Sequence, residues 1–549
     1  MENLGLRTEN FPHRDTSFAG RFSRFGGWLF LLSPLILGGV FFVLELSLGS
    51  RQATSSAFSR AVHDLFVVLL GFILVAGLIR MIQMIVSVIQ IRVYSLSQQL
   101  GQGWLLPYSL RVPPISLIVW VHNEAGTITE RMERLLKLEY PTFELVVVND
   151  GSTDATQQIL QSSFDLHPVN KVICRTLPTR TDGNVYTSAL YPNLTVVDKP
   201  WSGRGDSLNF ALNLTQYPLV LAEDPDTILQ SRALVRLAKG FIEDHTNTVA
   251  VSSLAALTGD INLEVPDSEI GLGRNQDSSE SPEAPVVESS PITRYAPTVS
   301  IFGATFAEED LSTWIQNLQR VDRMSAFHSS WLARNWLGSV PVSGGIPRLL
   351  RKSDVVAAGG YDPMSEEVSF NLLLHIQYQD KRKLPRRVVF LSDILARIEV
   401  PEDLNVIGQA QRNWQRLAFR SLITHWKLIF KSHGDFWWRS LSYPVFFLID
   451  ILGPVIELIG FGLVFVMGVL GIIDPSEMMF FIFAMMTFAL VQSIGAVLSE
   501  EFSSRSIRKP GRLLKLILVA STHAIGYRQM SAYWKLRGII DYALGKGTY

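Results

Sequence analysis

The chain has 549 residues, enough for several domains and a sizeable core. Its 49 Lys and Arg against 50 Asp and Glu argue against a generally basic nucleic-acid binder. The single cysteine, Cys174, excludes an internal disulfide and reads as a small buried hydrophobe; no motif has zinc-ligand spacing.

Residues 1–26 are a polar lead carrying Arg14, Arg21 and Arg24, without the pattern of a cleavable signal. An apolar block follows at Gly27–Leu48, long enough to span a bilayer at about 20 residues. A second block, Leu65–Ile85, has Arg80 near its end, so residues 27–92 read as two transmembrane helices. Residues 93–410 are mostly polar and read as a cytosolic α/β domain. They hold the strand-like runs "ISLIVWV", "LVVVN", "LTVVD", "LVLAED" and "RVVFLSD", alternating with helical patterns. That alternation predicts a mostly parallel sheet with helices on both faces. Within it, residues 264–290 are rich in Ser, Pro and Glu and read as an exposed, loosely ordered acidic insert, regulatory or merely a linker.

Residues 411–443 carry Trp, Phe, Lys and Arg in the manner of amphipathic helices at the headgroup level. Two more apolar blocks fill 444–498: Pro444–Ile472 and Met478–Leu498, joined by a turn at "IIDPSE". Glu457 inside the first of these faces a polar channel, a partner helix or the interface. Residues 499–549 open on Arg505, Arg508, Lys509 and Arg512. Leu513–Ala524 is short for a span and reads as re-entrant or interfacial. The flanking bases favour a cytoplasmic N-terminus, middle and C-terminus, with Arg51 and Arg60 as the exception.

In open α/β sheets, ligands bind outside the carboxyl ends of strands. There the sequence places His122, Asn123 and Glu124, then Asn149, Asp150 and Asp154, then Glu223, Asp224, Pro225 and Asp226. Asp150 or Asp154 would serve equally as caps for the helix behind them. Asp224-Pro225-Asp226 is different. Two carboxylates one residue apart repel unless a cation lies between them, and Mg²⁺ or Mn²⁺ takes such oxygens and shares them with phosphates. "DKPWSGRGDSLNFAL" adds a glycine turn, the base Arg204 and a helix starting near Asp206, which suits a diphosphate.

In this order the motifs resemble the membrane-bound family 2 glycosyltransferases, which include cellulose, chitin, hyaluronan and poly-N-acetylglucosamine synthases. The resemblance runs from about Ile115 to Leu417 and extends to the flanking spans, and "IGYRQMSAYWKLRGIIDYALGKG" resembles the end of bacterial members. It implies a GT-A-like (Rossmann-like) domain embedded in an α-helical transmembrane domain, in a multi-pass protein of the bacterial inner membrane. By resemblance, Asn123, Glu124, Asp150, Arg204 and Asp206 bind the nucleotide sugar, and Asp224 and Asp226 hold Mg²⁺ or Mn²⁺. Ser343, Gly344 and Gly345 line the acceptor and donor pocket, and Trp414 stacks under the acceptor sugar. The implied partners are a UDP-sugar, a polysaccharide or glycolipid acceptor, membrane lipids and an export or regulatory subunit, without nucleic acid.

Two departures stand out. The family's Glu-Asp becomes Ser365-Glu366-Glu367, so Glu367 takes the general-base position with a carboxylate that reaches one bond further. The family's Gln-x-x-Arg-Trp aligns with Ala410-Gln411-Arg412-Asn413-Trp414, which keeps the tryptophan and loses the adjacent arginine. The implied reaction is inverting transfer of a sugar, from UDP-GlcNAc or UDP-Glc, to a growing polysaccharide, coupled to export. The alternative is a catalytically weak or inactive scaffold or nucleotide sensor in a polysaccharide-export complex. A lipid phosphate accepting one sugar is a third reading.

Overall fold

The computed structural model describes residues 57–100, 112–171, 173–223, 227–258, 313–336, 347–363, 372–373, 375–376, 387–399, 401–427, 442–504 and 510–545. The first apolar block, the acidic insert, Asp224 and Asp226, Ser343 to Gly345 and Ser365 to Glu367 all lie outside them. So do Arg505, Arg508 and Lys509.

Ten strands form one sheet in the order β3-β4-β5-β2-β1-β6-β9-β8-β10-β7. They are β1 (Ile115–Val121), β2 (Phe143–Asp150), β3 (Leu166–Pro168), β4 (Asn184–Ser188), β5 (Leu194–Lys199), β6 (Leu219–Glu223), β7 (Thr227–Leu229), β8 (Thr248–Thr258), β9 (Arg348–Arg351) and β10 (Arg387–Glu399). The core β5-β2-β1-β6 is parallel, as is the β8–β10 pair; β4, β7 and β9 run the other way. All five strand-like runs of the sequence are strands. The sheet is mostly parallel because its central members are buried on both faces, which is why they read as unbroken apolar runs.

The two faces separate with the period of two that a strand dictates. Ile115, Leu117, Val119 and Val121 of β1 point to one face with Leu145 and Val147 of β2. There they meet Ile128, Met132 and Leu135 of α2 (Ile128–Leu136), Leu160 of α3 (Thr156–Ser163), and Leu234 and Leu237 of α5 (Ala233–Glu243). Ile118, Val146 and Val148 point to the other face. They share its core with Leu208 and Leu212 of α4 (Arg204–Leu214) and Val321 and Met324 of α6 (Trp314–Ala326). That second core is continuous with Ile91, Val497 and Val519, which belong to the helical half of the molecule.

The helical half consists of α1 (Ala57–Leu100), α7 (Leu404–Thr424), α8 (Gly453–Val469), α9 (Pro475–Ser504), α10 (Pro510–Thr522) and α11 (Arg528–Ala543). Among the described residues three stretches are long and apolar enough to cross a membrane: Ala61–Val93, Tyr443–Val469 and Pro475–Glu500. They correspond to the second, third and fourth apolar blocks. Leu513–Ala524 falls in α10 and a π-helical turn, His523–Tyr527, that leads into α11.

Arg80 departs from its expected place. It lies within a helix that continues for twenty residues beyond it, to Leu100, and is only 8% exposed. Its guanidinium turns inward: Nη1 donates to Glu457 Oε1 at 2.9 Å and Nη2 to the Ile449 carbonyl at 2.8 Å. Arg528 Nη2 donates to the other Glu457 oxygen at 2.6 Å, and Arg528 Nη1 to Gln492 Oε1 at 2.8 Å. Glu457 is therefore met by partner helices, α1 and α11. Arg80 is spent on an ion pair and drops out of the flanking charges that set orientation.

Candidate active site

The carboxyl ends of β1, β2 and β6 lie side by side. Val121 is paired with Asn149, and Val119 with Glu223. Asp150, the last residue of β2, is fully buried. Its Oδ1 accepts the Ser202 amide at 2.9 Å; its Oδ2 accepts the Gly203 amide at 3.1 Å and Trp120 Nε1 at 3.2 Å. One carboxylate thus ties β1 and β2 to the turn that opens α4. The neighbouring Gly151 has φ +61°, and a Cβ there would stand 2.5 Å from the Trp201 amide nitrogen, so the turn closes over β2 only because this residue is glycine.

Asn123 is exposed with φ +56°, a left-handed conformation that asparagine tolerates. Its Oδ1 accepts the Thr153 amide at 2.8 Å and its own amide donates to Ser152 Oγ at 2.9 Å, joining the loops after β1 and β2. Beside it, the His122 ring packs edge-on to Trp201 at 4.6 Å, and Trp201 is 58% exposed. The Arg204 guanidinium lies 6.0 Å from the Trp120 ring at the first residue of α4. Asn123, Arg204, His122 and Trp201 therefore gather at one edge.

The carboxylates of Glu124, Asp154 and Asp206 each have partners within the protein. Glu124 Oε2 accepts Thr127 Oγ1 and Arg131 Nη1, each at 3.1 Å, and so serves the start of α2. Asp154 accepts the Thr156 amide at 3.0 Å and the Ala125 amide at 3.1 Å, so it ties the first residue of α3 to the loop after β1, while the N-cap position itself is Ala155. Asp206 is fully buried, and Lys199 Nζ donates to its Oδ2 at 2.6 Å while the Arg180 amide donates to its Oδ1 at 2.8 Å. Burial alone would raise this carboxyl; Lys199 and the Arg180 amide outweigh it and hold it below the ordinary carboxylate range. Asp206 thus positions the turn from within and presents no oxygen to solvent, and Asp150 is likewise consumed by the turn.

Sequence reasoning passed over Lys199, Ser202 and Asn209, though all stand in "DKPWSGRGDSLNFAL". Asn209 clamps the far side: its Nδ2 donates to the Tyr361 carbonyl and its Oδ1 accepts the Tyr361 amide, both at 2.8 Å. A Cβ on Gly205 would stand 2.2 Å from the Asp362 carbonyl oxygen. Tyr361 and Asp362 are thereby pressed against the start of α4. Strand β6 ends at Glu223 and β7 begins at Thr227, with Asp224 and Asp226 outside the described residues. Two carboxylates one residue apart suit a hard divalent cation by donor chemistry.

Trp414 lies on α7, half-buried against Ala418, Leu422 and Phe446, away from these loops in sequence and element. Its Nε1 is buried without a hydrogen-bond partner among the described residues. Arg412, which the sequence offers beside Asn413, has its guanidinium on Asp541 of α11 at 2.9 Å.

The sheet is open and mostly parallel, and its carboxyl edge is braced by a glycine turn and buried carboxylates. Residues 116–287 match the family model "Glycosyl transferase family 2". The poly-beta-1,6-N-acetyl-D-glucosamine synthase of Staphylococcus epidermidis is 23% identical over 164 residues, covering 29% of this chain and 32% of that protein. The poly(ribitol-phosphate) beta-N-acetylglucosaminyltransferase TarS of Staphylococcus aureus is 25% identical over 198 residues, covering 36% of this chain and 29% of TarS. The matched stretch therefore spans about a third of each relative. A solved mannosyltransferase from Pyrobaculum calidifontis, in complex with GDP-Man and Mn²⁺, is 12% identical with a TM-score of 0.42. That superposition covers 86% of this chain and 99% of the mannosyltransferase.

Proposed function

We propose that this chain transfers a sugar, with inversion, from a UDP-sugar to a growing polysaccharide at the membrane, and that synthesis is coupled to export. The carrying observation is the knot at Asp150, which brings the ends of β1 and β2 and the Arg204 turn to one edge. Both Staphylococcus relatives carry N-acetylglucosamine in their names, which favours UDP-GlcNAc over UDP-Glc.

On this reading Asn123 and the aromatic pair His122 and Trp201 receive the nucleotide, and Arg204 faces its diphosphate. Glu124, Asp150 and Asp206 act behind them as braces. Glu367 takes the proton of the acceptor hydroxyl, and that oxygen attacks the anomeric carbon as the bond to the diphosphate breaks on the opposite face. Asp224 and Asp226 would hold Mg²⁺ or Mn²⁺, which when bound neutralises charge on the departing diphosphate. Gly344, Gly345 and the accessible part of Trp414 line the acceptor. The layout is the one read from the sequence: a multi-pass protein of the inner membrane with the catalytic domain in the cytoplasm, membrane lipids around its spans and an export or regulatory subunit beside it.

Asp226→Asn should abolish metal-dependent UDP release from purified protein supplied with UDP-GlcNAc; unchanged turnover would remove the metal assignment. A second reading draws on Arg412, which is tied to Asp541 while Asn413 stands in the arginine position. In it, the chain binds the donor and serves as a scaffold or sensor without turnover. Calorimetry and UDP release measured on one sample separate the two: binding without release selects the second.

A further inference from the structure

A cleft of about 870 Å³ opens at the opposite edge of the sheet, where β6 begins and β9 ends. Its walls include Arg351, Lys352, His245, Tyr217 and the lone cysteine, Cys174. That cysteine is exposed, against the expectation of a buried one. The volume lies within the range of small-molecule sites, roughly 300–1,000 Å³. Among the described residues that line it, two are permanent cations and none is aspartate or glutamate.

The cations are fixed in place. Lys352 Nζ donates to the Thr215 carbonyl at 2.6 Å, which uses one of its three N–H donors. Arg351 Nη2 donates to the Thr248 carbonyl at 2.8 Å and to the His245 carbonyl, while its guanidinium lies 6.0 Å from the Phe241 ring. The wall beside Cys174 is equally firm. Asn213 Oδ1 accepts the amides of Thr176 and Leu177 at 3.1 and 2.9 Å, and Asn213 Nδ2 donates to the Leu177 carbonyl at 2.9 Å. Burial pushes the Lys352 ammonium below its ordinary value, against the smaller opposing influence of Glu144 and Cys174. An arriving anion would restore that charge.

From these features we infer that the cleft is a second ligand site, separate from the candidate active site, for a phosphate ester of nucleotide size. The phosphate would meet Lys352 and Arg351, and the organic part would lie along Tyr217 toward Cys174.

Because Cys174 is the chain's sole cysteine, its alkylation reads the site directly in the full-length protein. ATP and inorganic phosphate are the probes, with a maleimide as reagent. With ATP at about ten times its Kd, occupancy slows labelling about tenfold. The protection should be lost in Lys352→Ala and in Ser353→Trp, which fills the exposed rim without touching the cation. Inorganic phosphate at the same concentration should protect less, since it cannot cover the thiol. An unchanged labelling rate with ATP in the wild-type chain overturns the proposal whatever the variants do. So does protection that survives in Ser353→Trp, or protection by phosphate equal to that by ATP.

Discussion

The sheet and the helical bundle are stabilised by different means. In β1 and β2 nearly every core position is aliphatic and fully buried: Ile115, Leu117, Ile118, Val119, Leu145, Val146 and Val147. In the bundle, the residues that join one helix to another include Arg80, Glu457 and Arg528. His328 and Glu500 pair at 3.1 Å, and so do His523 and Asp322 at 3.2 Å. The sheet resembles an ordinary dry core. The bundle is apolar on its surface, with exposed Leu78, Ile82, Ile85, Phe465 and Phe483, and polar at its joints. That inversion suits helices whose outer faces meet lipid, where apolar contact alone does not distinguish a neighbouring helix from the bilayer. Hydrogen-bonded charges then specify which helix lies where.

If that contrast is real, the largest single effect should come from one carboxylate. Glu457→Ala leaves Arg80 and Arg528 facing each other without their shared counter-charge. Breaking a buried pair in this way costs about 3–5 kcal/mol. The midpoint of thermal unfolding in detergent should fall accordingly. The triple variant Arg80→Met, Glu457→Met and Arg528→Met removes every charge together and should recover much of the loss. If Glu457→Ala is as stable as the wild type, the claim that charge specifies the bundle fails.

The boundary between brace and sheet is tested by Gly205→Ala. The added methyl would meet the Asp362 carbonyl, and overpacking of this kind costs about 1–3 kcal/mol. The displaced segment is the one that leads to Glu367, so UDP release should fall further than stability does. A fall in stability alone would separate this contact from the chemistry. In the dry core, Ile118→Val should cost only about 0.5–1.5 kcal/mol, because one methylene is lost and no charge is uncovered. Urea midpoints of the two variants, compared in the same detergent, place them in order.

How much of this was legible follows from the same contrast. The runs at Ile115 and Phe143 announce buried strands because both faces are covered, so composition alone reveals them. The edge strands β3 and β7 and the strands β4, β8 and β9 were not read: the β8 run "TVAVSSLAALT" mixes Ser and Ala with Val and lacks a strong period. The cluster of Asn123, Asp150 and Arg204 at one edge was legible from strand ends. The partners of the carboxylates were not. Lys199, seven residues earlier, meets Asp206 across a turn. Arg80 looks like a flanking charge until a helix 377 residues away supplies Glu457. Partners that distant leave no local pattern, and without them every buried acid or base in a sequence reads as a functional group.

Asp154 gives the smallest and most local test of that lesson, since it separates a brace from a ligand. Its carboxyl is held below the ordinary value of 3.8 chiefly by the Thr156 hydroxyl. Partial burial opposes this, and the Thr156 and Ala125 amides reinforce it. A carboxyl whose folded value is depressed contributes stability that is complete above its unfolded value. That contribution is lost as the pH falls through the lower, folded one. Acid should therefore loosen the joint between the loop after β1 and the start of α3 only below pH 3.8, and Asp154→Asn should flatten that dependence. Hydrogen exchange of the Ala125 and Thr156 amides, followed from neutral pH into that window, reports the joint directly. The mutation should speed exchange at both amides at neutral pH while leaving UDP-GlcNAc affinity within about twofold. A tenfold loss of affinity with the two amides still protected would assign Asp154 a ligand role instead.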